Sequence, residues 1–67
     1  MCRSIKQLRQ PDGPPTDDEI TAAALQFVRK VSGYRKPAKI NQTAFDQAVA
    51  EIAGSTRVLL NKLEVRG

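Results

Sequence analysis

Proline and glycine decide where this chain can be regular. Pro11-Asp12-Gly13-Pro14-Pro15 places three prolines and a glycine in five positions. No helix or strand passes through such a run, because proline lacks the amide donor and fixes φ. Gly33 and Pro37 break the chain a second time. After each break, apolar residues recur at spacings of three and four, the period of a helix and not the alternation of a strand. The 67 residues therefore read as one small domain, an arm and proline-rich loop over 1–15 followed by a helical hairpin over 16–67.

The first helix is expected over about 17–32. Thr16 and Glu19 form a capping box, Asp17 and Asp18 favour the positive end of the helix dipole, and Pro15 and Ile20 have staple spacing. Ile20, Ala23, Ala24, Phe27, Val28 and Val31 then share one stripe, with Phe27 read as core. Arg29 and Lys30 suit the last turn, Gly33 the left-handed position beyond it, and Tyr34 a return contact on Val28. The second helix is expected over about 42–64, with Asn41 as its cap, Ile40 and Phe45 as its staple, and Phe45 as core. Phe45, Val49, Ile52, Thr56, Leu59 and Leu63 step by fours and threes, a heptad-like seam widened by Ala48, Ala53 and Leu60. Gly54 inside this helix suggests a close helix crossing, since glycine there costs about 1 kcal/mol relative to alanine. In the arm, Cys2, Ile5 and Leu8 recur every third residue, which suits a short helical or 3₁₀ stretch.

At 1.5 Å per residue the helices span roughly 24 and 35 Å. The longer one overhangs by about 10 Å and carries Leu59, Leu60 and Leu63 with it. Folding a 7.4 kDa chain removes about 6,500 Å² of surface, and burial on the order of 100 kcal/mol is offset by an ordering cost of about the same size. Two helices make a poor core. Ile5 and Leu8 of the arm and a second copy of the chain are both expected to cover the overhang. The expected fold is all-α, an antiparallel hairpin completed by dimerisation, with Val49, Ile52, Thr56, Leu59, Leu60 and Leu63 as the seam.

The residue inventory removes several chemistries. There is no histidine and no tryptophan, and one cysteine, Cys2. Zinc sites built from several Cys and His ligands, an internal disulfide and a histidine base are excluded. Asp17, Asp18 and Glu19 are consecutive at a helix start, where capping explains them without a metal; no metal and no cofactor are expected. Asp46 and Glu51, five apart, do not form a facing pair. Cys2 is a candidate reactive thiol, favoured as thiolate by Arg3 and Lys6 if Met1 is removed, though a small apolar packing role is simpler. No apolar run approaches the ~18 residues of a membrane span, and the start lacks a signal-peptide apolar region. A cytoplasmic protein with no membrane partner is expected.

The net charge is +4, and Arg29, Lys30, Arg35, Lys36 and Lys39 put five cations within eleven residues around the helix connection, with Tyr34 among them. The simpler reading is a solvated loop. The alternative is an anion or nucleic-acid site beside the second helix N-terminus, with Tyr34 stacking on a base. A helix-turn-helix is disfavoured by a connection of about nine residues where that motif has 3–4.

Met-Cys-Arg-Ser-Ile-Lys at 1–6, Ala-Ala-Ala-Leu-Gln-Phe-Val-Arg-Lys-Val-Ser-Gly at 22–33, Asn41 with Ala44-Phe45 and Ala48-Val49, and Leu59-Leu60 together resemble a small family of uncharacterised bacterial proteins, a domain of unknown function. The resemblance runs from residue 1 to about 63 and implies a short helical protein with no assigned activity or site residues. From the residues themselves, the expected role is a non-catalytic module that self-associates or binds a partner helix. The alternative is a non-specific nucleic-acid or polyanion binder acting through the 29–39 loop.

Overall fold

The computed structural model describes residues 7–9 and 13–64. Among them the order is a helix α1 over Asp17–Ser32, a single 3₁₀ turn over Lys39–Asn41, and a helix α2 over Gln42–Lys62. The two helices pack against each other. They run antiparallel: Arg57, near the end of α2, meets Asp17, the first residue of α1, with Nε to Oδ1 at 3.0 Å.

α1 begins and ends as its sequence dictates. The Glu19 amide donates to Thr16 Oγ1 at 3.1 Å, and the Thr16 amide donates to Glu19 Oε1 at 2.8 Å. Gly33 adopts φ 79° and donates its amide to the Arg29 carbonyl. Tyr34, expected on Val28, is instead more than half exposed, and its amide donates to Ser32 Oγ at 3.1 Å. That bond turns the chain away from the helix.

The entry to α2 differs from expectation. Asn41 stands at the cap position but its side chain makes no capping bond. The preceding 3₁₀ turn explains this. The Asn41 amide donates to the Ala38 carbonyl at 2.9 Å, so the backbone is already coiling when it reaches Asn41, which sits at φ −104°, ψ 3°. A capping side chain needs an extended residue there. The same turn breaks the expected staple, leaving Ile40 90% exposed. α2 also stops at Lys62, two residues short of the expected 64, with Leu63 extended at its end. Gln7, Leu8 and Arg9 are not helical, contrary to the expectation for the arm. Met1, Cys2 and Ile5 lie outside the described residues, as do Gln10, Pro11 and Asp12.

The interior is small. Among the described residues the buried side chains are Ile20, Ala24 and Val28 of α1 and Ala53 of α2. Leu8, Val49, Ile52 and Leu60 pack around the Ile20–Ala24–Ala53 contact, each half-buried. Phe27 and Val31, expected in the core, are exposed, Val31 at 65%. Phe45, also expected there, is half-buried. The reason is geometric. An apolar stripe more than 100° wide needs more than one neighbour to cover it, and among the described residues α1 has α2 and the single side chain of Leu8.

Gly54 does not mark a close crossing. A Cβ built on it would meet nothing within 4 Å. Gly54→Ala should therefore raise stability by up to about 1 kcal/mol, the helix-propensity difference alone. Urea unfolding followed by circular dichroism measures this, and a destabilised variant would show that Gly54 is covered by something outside the single chain.

Candidate functional site

The hairpin has two unlike faces. On one, Thr21 and Leu25 of α1 oppose Asp46, Val49, Ala50 and Arg57 of α2 around a shallow depression. Charge is satisfied locally there: Arg57 bonds Asp17, and Asp46 Oδ1 accepts from Gln42 Nε2 at 2.8 Å. Both partners of the Arg57–Asp17 pair are substantially exposed, and such pairs contribute at most about 1 kcal/mol.

The other face is apolar. Ala23, Ala24 and Phe27 of α1 and Ile52, Thr56 and Leu60 of α2 line a cleft, with Leu8 of the arm in it and Gln7 and Arg9 at its edge. Thr56 does not make this face polar, because its hydroxyl donates to the Ile52 carbonyl at 2.7 Å. Leu59 and Leu63 continue the stripe from Ile52 and Thr56, following the i, i+4, i+7, i+11 spacing of one helix side. They are 55% and 46% exposed. The seam read from the sequence therefore divides. Val49, Ile52 and Leu60 pack within the hairpin, while Leu59 and Leu63 keep about half of their surface exposed. Beside them a larger cleft of about 780 Å³ runs between Gln7, Arg9, Pro14 and Pro15 on one wall and Ile20, Leu60 and Leu63 on the other. Pro15 and Ile20, the expected staple pair, both line it.

The cationic residues gather at the opposite, turn end. Arg29, Lys30, Arg35, Lys36 and Lys39 are all exposed. Arg29 Nε donates to the Arg35 carbonyl at 3.0 Å and folds the loop back on α1. Arg29 thus satisfies a loop carbonyl, not one at the helix end. Arg29, Arg35 and Lys36 border a shallow cleft with Phe45 and Asp46. Four exposed side chains depart from the sequence expectation: Phe27, Val31, Tyr34 and Ile40. Phe27 was assigned to the interior, although the width of its stripe argued that one helix would not cover it. Ile40 was assigned to a staple that the 3₁₀ turn undoes.

The Cys2 thiol lies outside the described residues. Among those described, no group of three His, Cys, Asp or Glu is arranged to hold a metal ion, and no helix is long and apolar enough to cross a membrane.

A family model described as an uncharacterized conserved protein, DUF2277, matches residues 1–67. The chain belongs to that family. The family description assigns no activity, so the residues above carry their roles by geometry alone. Comparison with curated proteins and with solved structures finds no match.

Two substitutions separate the packing from the charge at this site. Leu60→Ala should lower stability by about 2 kcal/mol, the low end for a truncated leucine because Leu60 is only partly buried. Arg57→Ala should change it by no more than about 0.5 kcal/mol, since the ion pair is solvent-screened. Equilibrium urea unfolding of both variants checks the order. An Arg57 effect larger than the Leu60 effect would reverse the assignment of what joins the helices.

Proposed function

We propose that this protein is a non-catalytic helical interaction module whose apolar face pairs with a second copy of the chain. The observation that supports this reading is the pair of leucines, Leu59 and Leu63, about half exposed on the same side as Phe27 and the Leu8 cleft. Large apolar side chains gathered on one side of a small protein suit a surface that a partner covers.

The choice of occupant follows from the size of the core. Among the described residues two of the four buried ones are alanines, and a chain of 67 residues is short for a core that suffices by itself. A surface needed for folding itself must find its partner wherever the chain is made. Another copy of the same chain meets that condition at once. A two-fold pairing would set the Phe27–Leu59–Leu63 side of one hairpin on that of the other, burying the same patch twice. The single cysteine and the missing histidine leave few groups for catalysis, and the reading uses none.

Size-exclusion chromatography with light scattering, run over a range of concentrations, tests this directly. The expected mass is twice the 7.4 kDa of one chain. Leu59→Lys should shift the equilibrium at least about 100-fold toward the single chain, because it places a charge in a desolvated contact, and should lower the melting temperature with it. A folded species of 7.4 kDa at every concentration, with the same melting temperature in Leu59→Lys, would overturn the reading.

A further inference from the structure

The turn end of the hairpin joins charge and apolar exposure in a repeating way. Val31, Tyr34 and Ile40 are among the most exposed large apolar residues of the molecule. Each has a cation as its immediate chain neighbour: Lys30-Val31, Tyr34-Arg35 and Lys39-Ile40. From Ile20 to Phe45 the chain contains no aspartate or glutamate. Arg29, Lys30, Arg35, Lys36 and Lys39 make no ion pair among the described residues. The carboxylate at the rim is Asp46, which lines a cleft with Arg35 and Lys36 and accepts a hydrogen bond from Gln42. Arg29, Arg35 and Lys36 thus share that cleft with one carboxylate.

We propose that this end is a docking site for an anionic lipid surface, with Ile40 entering the headgroup boundary, Tyr34 at headgroup depth and the flanking cations meeting lipid phosphates and carboxylates. The apolar residues decide between anionic ligands. Cations alone suit any polyanion. An isoleucine held out in water on a short 3₁₀ turn gains nothing from a phosphate backbone, but it is removed from water by an acyl boundary. Tyrosine suits the same depth, with its ring in the apolar layer and its hydroxyl at the headgroups. Lys39 stands on the same 3₁₀ turn as Ile40 and is exposed with it. The contact is a surface contact and spans nothing, and the apolar face carrying Leu59 and Leu63 lies toward the other end of α2.

Vesicle flotation tests it, with phosphatidylcholine alone and with phosphatidylcholine containing about 30% phosphatidylserine, the headgroup charge that attracts basic segments. The protein should float with the anionic vesicles and stay behind with the neutral ones. Arg35→Ala/Lys36→Ala should weaken partitioning about 30-fold, from about 1 kcal/mol per cation. Ile40→Ser should weaken it about tenfold while leaving the helical circular dichroism unchanged, since the side chain is 90% exposed. A single-stranded oligonucleotide and heparin serve as the competing polyanions. Equal flotation on both vesicles, no flotation, or vesicle binding that Ile40→Ser leaves intact would each overturn the proposal. So would oligonucleotide binding that displaces the protein from vesicles and depends on Tyr34 but not on Ile40, which would mark the end as a nucleic-acid site.

Discussion

Everything in this molecule hangs on one small contact, Ile20 and Ala24 of α1 against Ala53 of α2. Alanines at a crossing let two helices approach closely, but they bring little surface out of water. The contact fixes the antiparallel arrangement and leaves most of the stabilising burial to the residues around it. Leu8, Val49, Ile52 and Leu60 supply that ring, and each is only partly enclosed. A hairpin built this way is under-packed by construction. Close packing elsewhere in the domain cannot compensate, because there is no third helix among the described residues.

That deficit is not spread evenly. The face bearing Thr21, Asp46 and Arg57 satisfies its polar groups with one another. The face bearing Phe27, Ile52, Leu59 and Leu63 has Leu8 laid into it, and the Thr56 hydroxyl is turned inward onto a backbone carbonyl. Leu8 covers part of this face, and Phe27, Leu59 and Leu63 stay exposed.

Charge is unevenly balanced along the long axis as well. The capping carboxylates Asp17, Asp18 and Glu19 stand at the start of α1, where Asp17 meets Arg57, and the turn gathers cations that make no ion pair among the described residues. Part of this separation follows from helix electrostatics, which favour acids at an N-terminus and bases at a C-terminus. Arg35, Lys36 and Lys39 lie beyond the helix end and owe nothing to that preference. Their concentration at the turn, beside side chains that water does not favour, is the feature that local helix rules leave unexplained.

The residues of this chain fixed the two helices on their own, because the signals involved act over four or five positions. The Thr16–Glu19 box, the left-handed Gly33 and the breaks at Pro15 and Pro37 are local, and α1 spans the expected 17–32. What covers each stripe was decided by tertiary structure. Phe27 and Val31 carry the same helical period as Ile20 and Ala24, and periodicity cannot say how many neighbours a stripe will have. The same holds for Leu59 and Leu63 against Leu60: adjacent in sequence and alike in chemistry, they separate only because α2 turns Leu60 toward Leu8 and α1. Asn41 and Ile40 show the finer limit. Their side chains suit a cap and a staple, but one backbone turn ahead of α2 settled the geometry first, and a side chain cannot cap a helix that has already begun to wind.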